Sequence, residues 1–283
     1  MSKRIKKLTR NNIIEDFGKE WKRFHFMNFR KPESLKFQFD KYTNLIELEN
    51  FRDSEAADFG AGSGRWAELL LPYVTHLHVI EPGVAACEVL KLKFSGNSKV
   101  TIHNSLIEDG PVKAGSLDLA ISLGVLHHIP KMEIALQSIF CALKPGGTFL
   151  GYLYYNLENR SIPYRLIWKI SEILRLSISR LPSGSKFLVC EIIALTVYFP
   201  LAKFSKLIRL IGLPIENIPL HHYTDLPLYM MRNDALDRFG TTFEKRFSKA
   251  QIFQVLTNVG FDLSSIEFSE FEPYWTFKAQ KPD

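Results

Sequence analysis

The sequence predicts an α/β fold: a mostly parallel, seven-stranded sheet interrupted by a helical insertion. Three observations predict it. Strand-like runs alternate with helical patterns from Glu55 to Tyr155. The first run ends in Asp58-Phe59-Gly60-Ala61-Gly62-Ser63-Gly64, where three alternate glycines open into a helix. The alternation stops at residue 156, gives way to long apolar and basic helical stretches, and resumes near residue 240.

Before the sheet, residues 1–50 read as a helical extension. Asn11-Asn12 is expected to cap a helix whose Ile13, Ile14, Phe17, Trp21 and Phe24 recur at amphipathic spacing. Those aromatics suit packing, or a lid over a ligand. Strand one is expected at Glu55–Phe59, followed by a helix from Arg65 to Leu71 that Pro72 stops. Strand two, His76–Glu81, ends in an acid, and a helix follows from Val84 to Phe94. Strands three and four are Lys99–His103 and Ser116–Ser122. A helix from Met132 to Leu143 ends at Lys144-Pro145-Gly146-Gly147, and strand five runs from Thr148 to Tyr155. Strands spaced by helices imply parallel pairing with right-handed crossovers.

The insertion, residues 156–239, carries helical patterns over Pro163–Leu181 and Phe187–Leu210. Phe187–Leu201 holds only Glu191 as a charge, but at about 15 residues it falls short of the ~20 that span a bilayer. These helices are expected to cap a substrate pocket, with peripheral membrane contact through residues 160–210 as the other reading. A last helix begins at Ser248, its N-cap, and ends at Gly260, and two closing strands follow at Phe261–Phe268 and Tyr274–Ala279.

Composition limits the classes. The 283 residues, 46% hydrophobic and 23% charged, describe an ordinary globular chain able to bury a large core. Met1–Arg10 is basic but leads into no apolar core of a signal peptide, so a cytoplasmic setting is expected, at most peripheral to the inner face of the membrane. Cys87, Cys141 and Cys190 are dispersed, which fits reduced thiols and neither zinc nor a disulfide frame. The net charge of +6 concentrates in Lys3–Lys41 and Arg160–Arg209, a solvated face or a surface for an acidic partner.

The glycine loop is the first chemical signal. A dinucleotide fingerprint requires glycine where Arg65 stands, so NAD and FAD are disfavoured. His221-His222 has no third ligand at metal-binding spacing, so no metal site is expected.

Taken in order, several motifs resemble one family. They are Asp58-x-Gly60-x-Gly62-x-Gly64, Glu81-Pro82-Gly83, Leu117-Asp118-Leu119-Ala120-Ile121-Ser122-Leu123-Gly124-Val125-Leu126-His127-His128-Ile129, Leu143-Lys144-Pro145-Gly146-Gly147, and the closing Phe247-Ser248 with Val259-Gly260-Phe261. The combination, over residues 55–155 and 240–283, resembles the Rossmann-like class I S-adenosylmethionine-dependent methyltransferases with a type 11/12 domain. The phrase Tyr152–Arg160 and the helices after it are similar to a bacterial subgroup with a helical insertion.

The resemblance implies a cofactor domain over residues 51–155 and 240–283 and S-adenosylmethionine as cofactor. Gly60, Ala61 and Gly62 would admit its methionine part to the backbone, with Asp58 orienting the ammonium. Glu81, 21 positions after Gly60 and followed by Pro82, would accept from the ribose hydroxyls. Ser105 and Leu106 would border the adenine. The family often has an aspartate there, whereas this chain has Asn104-Ser105, and Glu108 or Asp109 are the other candidates. Ser122 and Leu123 would lie beside the sulfonium, and His127 and His128 just beyond, with His128 favoured as a general base. The expected acceptor is a small or lipid-/glycan-linked molecule. The Asn/Asp-Pro-Pro-Tyr motif of base-directed enzymes is absent, which disfavours nucleic acid. A non-catalytic module that binds a partner and an RNA methyltransferase are the alternatives.

Overall fold

The computed structural model describes residues 3–27, 29–270 and 274–283. Contacts divide the chain into two compact units. One comprises Met1–Phe29, Leu35–Glu158 and Phe243–Asp283, the other Arg30–Ser34 with Asn159–Thr242.

The first unit begins with helix α1 (Lys3–Arg23), and most of α2 (Pro32–Thr43) belongs to it. Then follow β1 (Glu55–Phe59), α3 (Arg65–Leu70), β2 (His76–Ile80), α4 (Val84–Lys93), β3 (Val100–His103), β4 (Leu117–Leu123), α5 (Met132–Ala142) and β5 (Leu143–Tyr154). The second unit holds α6 (Ile162–Ile178), α7 (Ser183–Ile193), α8 (Phe199–Leu210) and α9 (Leu228–Gly240). The chain then returns to the first unit with α10 (Lys249–Val259), β6 (Glu267–Phe268) and β7 (Tyr274–Gln280).

The seven strands are ordered β3-β2-β1-β4-β5-β7-β6. β1 to β5 are mutually parallel, and β7 runs antiparallel to both β5 and β6. The order reverses between β1 and β4, the switch point where open α/β sheets bind ligands beyond their strand ends. Central strands are apolar on both faces because helices cover both, and Ala56, Ala57, Phe59, Leu119, Ala120 and Ile121 are all fully buried.

Four expectations are corrected. α1 starts at Lys3, so Asn11 sits mid-helix and caps nothing. Lys, Arg and Leu upstream are strong helix formers, and an exposed Asn11 needs no buried partner. Met1 and Ser2 of the basic N-terminal stretch lie outside the described residues. β5 begins at Leu143 and absorbs the Lys144–Gly147 turn as an irregularity against β4. Residues 261–266 are no strand, because the Asp262 carboxylate accepts from the Ser264 backbone and hydroxyl and folds a 3-10 turn at Leu263–Ser265. The apolar helix of the insertion is also longer than its pattern suggests: Ser183–Leu210 is 28 residues of continuous helix, with a π turn at Ala194–Tyr198. By length and composition alone it reaches across a bilayer.

α10 starts at the expected cap, where the Ser248 hydroxyl accepts from the Gln251 N–H and Gln251 returns the bond. Ser248→Ala is therefore expected to cost about 1 kcal/mol of stability, a drop of roughly 2–4 °C in thermal midpoint measured by calorimetry. An unchanged midpoint would remove the capping box from the account.

In the second unit, α6 and α7 pack on α9. Arg175 is buried, gives Nη1–H to the Thr241 carbonyl and pairs with Glu172, which Arg238 also reaches at 3.0 Å. Burial alone would push the Glu172 carboxyl up, but the two guanidiniums bring it below its ordinary value. Glu172→Ala leaves the buried Arg175 uncompensated. A loss of about 3–5 kcal/mol in unfolding free energy is expected by denaturant titration, against near zero if the pair is idle.

Candidate cofactor and active site

The site is assembled from the loops at the carboxyl ends of β1, β2, β3 and β4. The glycine loop is tied to β2, since the Gly60 and Ala61 N–H groups both donate to the Ile80 carbonyl, at 2.8 and 3.0 Å. Gly60 and Gly62 have φ of +85° and +57°, a region costly for any side chain. A Cβ at Gly60 would lie 2.4 Å from Val125, and one at Gly62 would lie 2.6 Å from the Trp21 indole.

Two carboxyls border this loop, Asp58 on β1 and Glu81 just after β2. Glu81 is buried, accepts from the Gly62 N–H at 3.0 Å and from the Gly83 N–H at 2.7 Å, and is pushed up to about 7 by burial against those two bonds. Asp58 is 1% exposed and pushed up to about 7, first by burial and then by the Glu81 charge. Its Oδ2 is buried with no hydrogen-bond partner. Among the described residues neither acid forms an ion pair. Two enclosed carboxyls with no cation in direct contact are costly unless something positive sits with them; the more distant Arg65 guanidinium favours the ionised Asp58, but less than burial and Glu81 oppose it. The donor set and the bare-backbone cradle fit the ammonium and sulfonium of S-adenosylmethionine.

The other expected residues are placed as follows. The Asn104 amide donates to the Glu81 and Pro82 carbonyls at 3.0 and 3.1 Å, so it braces the acidic turn. The Ser105 hydroxyl donates to the Leu106 carbonyl, and both residues are half-buried beside that turn. Ser122 is fully buried and donates to the Phe59 carbonyl at 3.0 Å, a clamp between β4 and β1 that commits its hydroxyl to the sheet. Leu123 is buried and precedes Gly124, whose φ is +82°.

The two histidines part company. His127 is fully enclosed, lies on the Tyr154 ring at 3.9 Å between centroids, and is held well below its ordinary pKa by burial, His128 and Arg246. Neither of its ring nitrogens has a partner, so it is a neutral packing group. His128 Nδ1 lies 2.9 Å from the Phe243 carbonyl. A carbonyl only accepts, so Nδ1 carries the proton and Nε2 is the basic nitrogen of the neutral ring.

Sequence reasoning offered Phe17 and Trp21 as packing or lid aromatics without placing them, and it missed Gly18 and Tyr42. Phe17 of α1 packs 4.9 Å from His128, and Gly18 faces Gly83 and Ala85 across the first turn of α4. Trp21 covers Gly62 and is itself covered by the Arg65 guanidinium at 4.9 Å. Tyr152 and Tyr154 of β5 add an aromatic wall, with Tyr42 of α2 stacked on Tyr152 at 5.0 Å. The alternation of Tyr152 and Tyr154 was the available signal: it puts both on one sheet face. Trp21→Ala is expected to change the rate of cofactor association by about tenfold in stopped-flow fluorescence. Equal rates would mean α1 does not stand in the entry path.

The second unit's His221-His222 pair lies in a short 3-10 turn, where His222 packs on Tyr223 at 4.0 Å. Among the described residues no three His, Cys, Asp or Glu side chains are grouped to hold a metal ion.

Comparison with known proteins points to the same stretch of chain. The methyltransferase domain family model matches residues 57–151, the stretch that builds the glycine loop, both acids and the two histidines. Residues 57–151 are thus similar to a methyltransferase domain. Among curated proteins, the chain is similar to the methyltransferase nsrG of Aspergillus novofumigatus, 26% identical over 121 residues, 42% of this chain and 45% of that protein. It is also similar to the ubiquinone biosynthesis O-methyltransferase of Vibrio parahaemolyticus, 26% identical over 149 residues, 52% of this chain and 58% of that protein. The chain thus spans about half the length of the curated relatives it matches. Solved structures share the methyltransferase domain's fold. A chain in the complex of the Haloferax volcanii Trm112 methyltransferase activator with a methyltransferase aligns at TM-score 0.53 and 11% identity, over 92% of this chain and 98% of that one. An O-methyltransferase family protein from Burkholderia thailandensis aligns at 0.51 and 11%, over 89% and 57%.

Proposed function

We propose that the chain transfers the methyl group of S-adenosylmethionine to a small-molecule acceptor, free or linked to a lipid or glycan. The observation that carries this reading is the pair of buried acids, Asp58 and Glu81, beside a glycine cradle and without an ion pair among the described residues. When bound, the cofactor supplies an electrophilic methyl on a sulfonium and leaves as S-adenosylhomocysteine. Asp58 Oδ2 offers the acceptor that an ammonium requires, and the lone pairs Glu81 keeps beyond its two backbone bonds suit vicinal hydroxyls. Glu81 also fixes Gly62, so the ligand-binding acid and the cradle are one rigid piece.

His128 is the base of this reading, with Nε2 taking the proton of a hydroxyl or amine as its heavy atom gains the methyl. Tyr152 and Tyr154 offer apolar faces and hydroxyl ends to an aromatic or amphipathic acceptor. The ubiquinone biosynthesis relative favours an oxygen acceptor on such a molecule. Free thiols at Cys87, Cys141 and Cys190 accord with work in the reducing cytoplasm.

The direct test is titration calorimetry with S-adenosylmethionine and S-adenosylhomocysteine, followed by methyl-labelled transfer onto phenols, amines and isoprenoid-linked quinols. Binding lost in Glu81→Ala and product with one acceptor class support the reading. No binding by the intact protein removes it. His128→Gln is expected to lower turnover by about 10²–10⁴-fold with cofactor affinity unchanged, and an undiminished rate would assign the base elsewhere.

A further inference from the structure

The second unit exposes an unusual amount of apolar surface. Eighteen of the twenty-four exposed large hydrophobic side chains among the described residues lie between Ile162 and Leu213. A monomeric soluble surface rarely concentrates exposed apolar side chains in one segment of chain, and such a concentration marks an interaction face. The pattern within each helix is regular. On α6, Ile162, Leu166, Ile170 and Ile173 fall on one side and are 55–80% exposed. The other side turns Trp168, Glu172, Arg175 and Ile178 toward the unit's interior, α9 included. On α7 and α8 the buried stripe is Lys186, Cys190, Ala194, Tyr198, Ala202 and Ser205, leaving Leu188, Ile192, Phe204, Leu207 and Leu210 outward.

Charge selects the partner. Residues 160–210 carry nine Lys or Arg against two Glu. Both glutamates are spoken for inside the unit, Glu172 by Arg175 and Arg238, and Glu191 by Arg232. The basic excess is exposed beside the apolar faces. Arg165 and Lys169 follow the edge of the α6 face one turn apart, and Lys203 and Lys206 accompany Phe204 and Leu207 on α8. Lys203 lays its ammonium 5.1 Å from the Phe199 ring, the posture of a side chain that keeps its stem on apolar surface.

We propose that this unit docks in the plane of an anionic phospholipid bilayer, with the apolar faces of α6 and of α7–α8 in the headgroup–acyl boundary and Arg165, Lys169, Lys203 and Lys206 at the phosphates. Amphipathic helices with basic flanks bind that way, through buried apolar area plus attraction to anionic lipid. Although Ser183–Leu210 is long enough to cross, spanning would take Glu191 away from Arg232 and carry its charge into hydrocarbon, so the helix lies on the membrane. This inference stands apart from the methyl-transfer reading: it uses no residue of the cofactor site.

The test is flotation of the full chain with vesicles of phosphatidylcholine alone and of phosphatidylcholine with phosphatidylglycerol, at low and high salt. The expected result is flotation with the phosphatidylglycerol vesicles, weakened by salt, and about fivefold weaker for each of Lys169→Gln and Lys206→Gln. The double variant Ile170→Glu, Leu207→Glu is expected to lose flotation by tenfold or more while its thermal midpoint and circular dichroism stay those of the parent. Absence of flotation overturns the proposal. So does equal binding to both vesicles at both salts, resistance of the bound protein to alkaline carbonate, or a vesicle-independent dimer in light scattering that the same double variant disrupts.

Discussion

Gly62→Arg is expected to abolish S-adenosylmethionine binding, raising the dissociation constant more than about a hundredfold, and to cost about 2–4 kcal/mol of stability. Three facts combine at this residue. Its φ of +57° strains any side chain, its Cβ position lies 2.6 Å from the Trp21 indole, and its N–H holds Glu81 at 3.0 Å. A side chain there must displace Trp21 or the loop, and moving the loop releases Glu81, the acid proposed to hold the cofactor. Gly96→Ala separates strain from site. Gly96 also has positive φ, +73°, but a Cβ there meets nothing within 4 Å. That variant is expected to lose about 1 kcal/mol and bind the cofactor normally. Calorimetric titration and thermal unfolding of both variants decide the matter. Wild-type affinity in Gly62→Arg would mean that the cofactor does not lie on this loop.

The second large effect is on pH. Asp58 and Glu81 are each pushed up to about 7, from ordinary values of 3.8 and 4.5, and burial is the leading cause for both. A carboxyl whose folded pKa exceeds its unfolded one binds its proton more tightly when folded. Its stabilising contribution is complete below about pH 4 and is lost as pH rises to about 7, so the cofactor-free domain is expected to lose a few kcal/mol across that window. A cation beside the acids reverses the preference toward the ionised forms. Cofactor binding below about pH 7 should therefore release protons, and affinity should rise with pH and level off above it. Calorimetry in two buffers of different ionisation enthalpy counts those protons. Asp58→Asn should raise cofactor-free stability at about pH 8, weaken cofactor binding and release fewer protons. Affinity that is flat from about pH 5 to pH 8 would end the acid-pair account.

The histidines illustrate how burial sorts residues that look alike in sequence. His127 and His128 are adjacent and both lie at the end of β4, yet only His128 makes a bond that assigns its tautomer. His127 is flat against Tyr154 and held neutral. The acceptor for His128 comes from Phe243, 115 residues away in sequence. No local pattern could supply that pairing.

What the sequence determined by itself was the frame. Short apolar runs alternating with helical patterns, glycines at obligatory positive φ, an acid at the end of β2 and a capping box at Ser248 are local signals, set by backbone sterics and by hydrogen bonds within a few residues. They gave the strand count, the glycine loop and the place of the helical insertion. The tertiary structure alone decided what faces that loop: Trp21 over Gly62, Phe17 over His128, Asn104 bracing Glu81, and Ser122 clamped to Phe59. It alone separated the buried stripe of the 28-residue helix from its exposed apolar face. A periodic pattern marks which residues are apolar, but a contact between distant segments decides which of them are covered and which carboxyls are shut away from water.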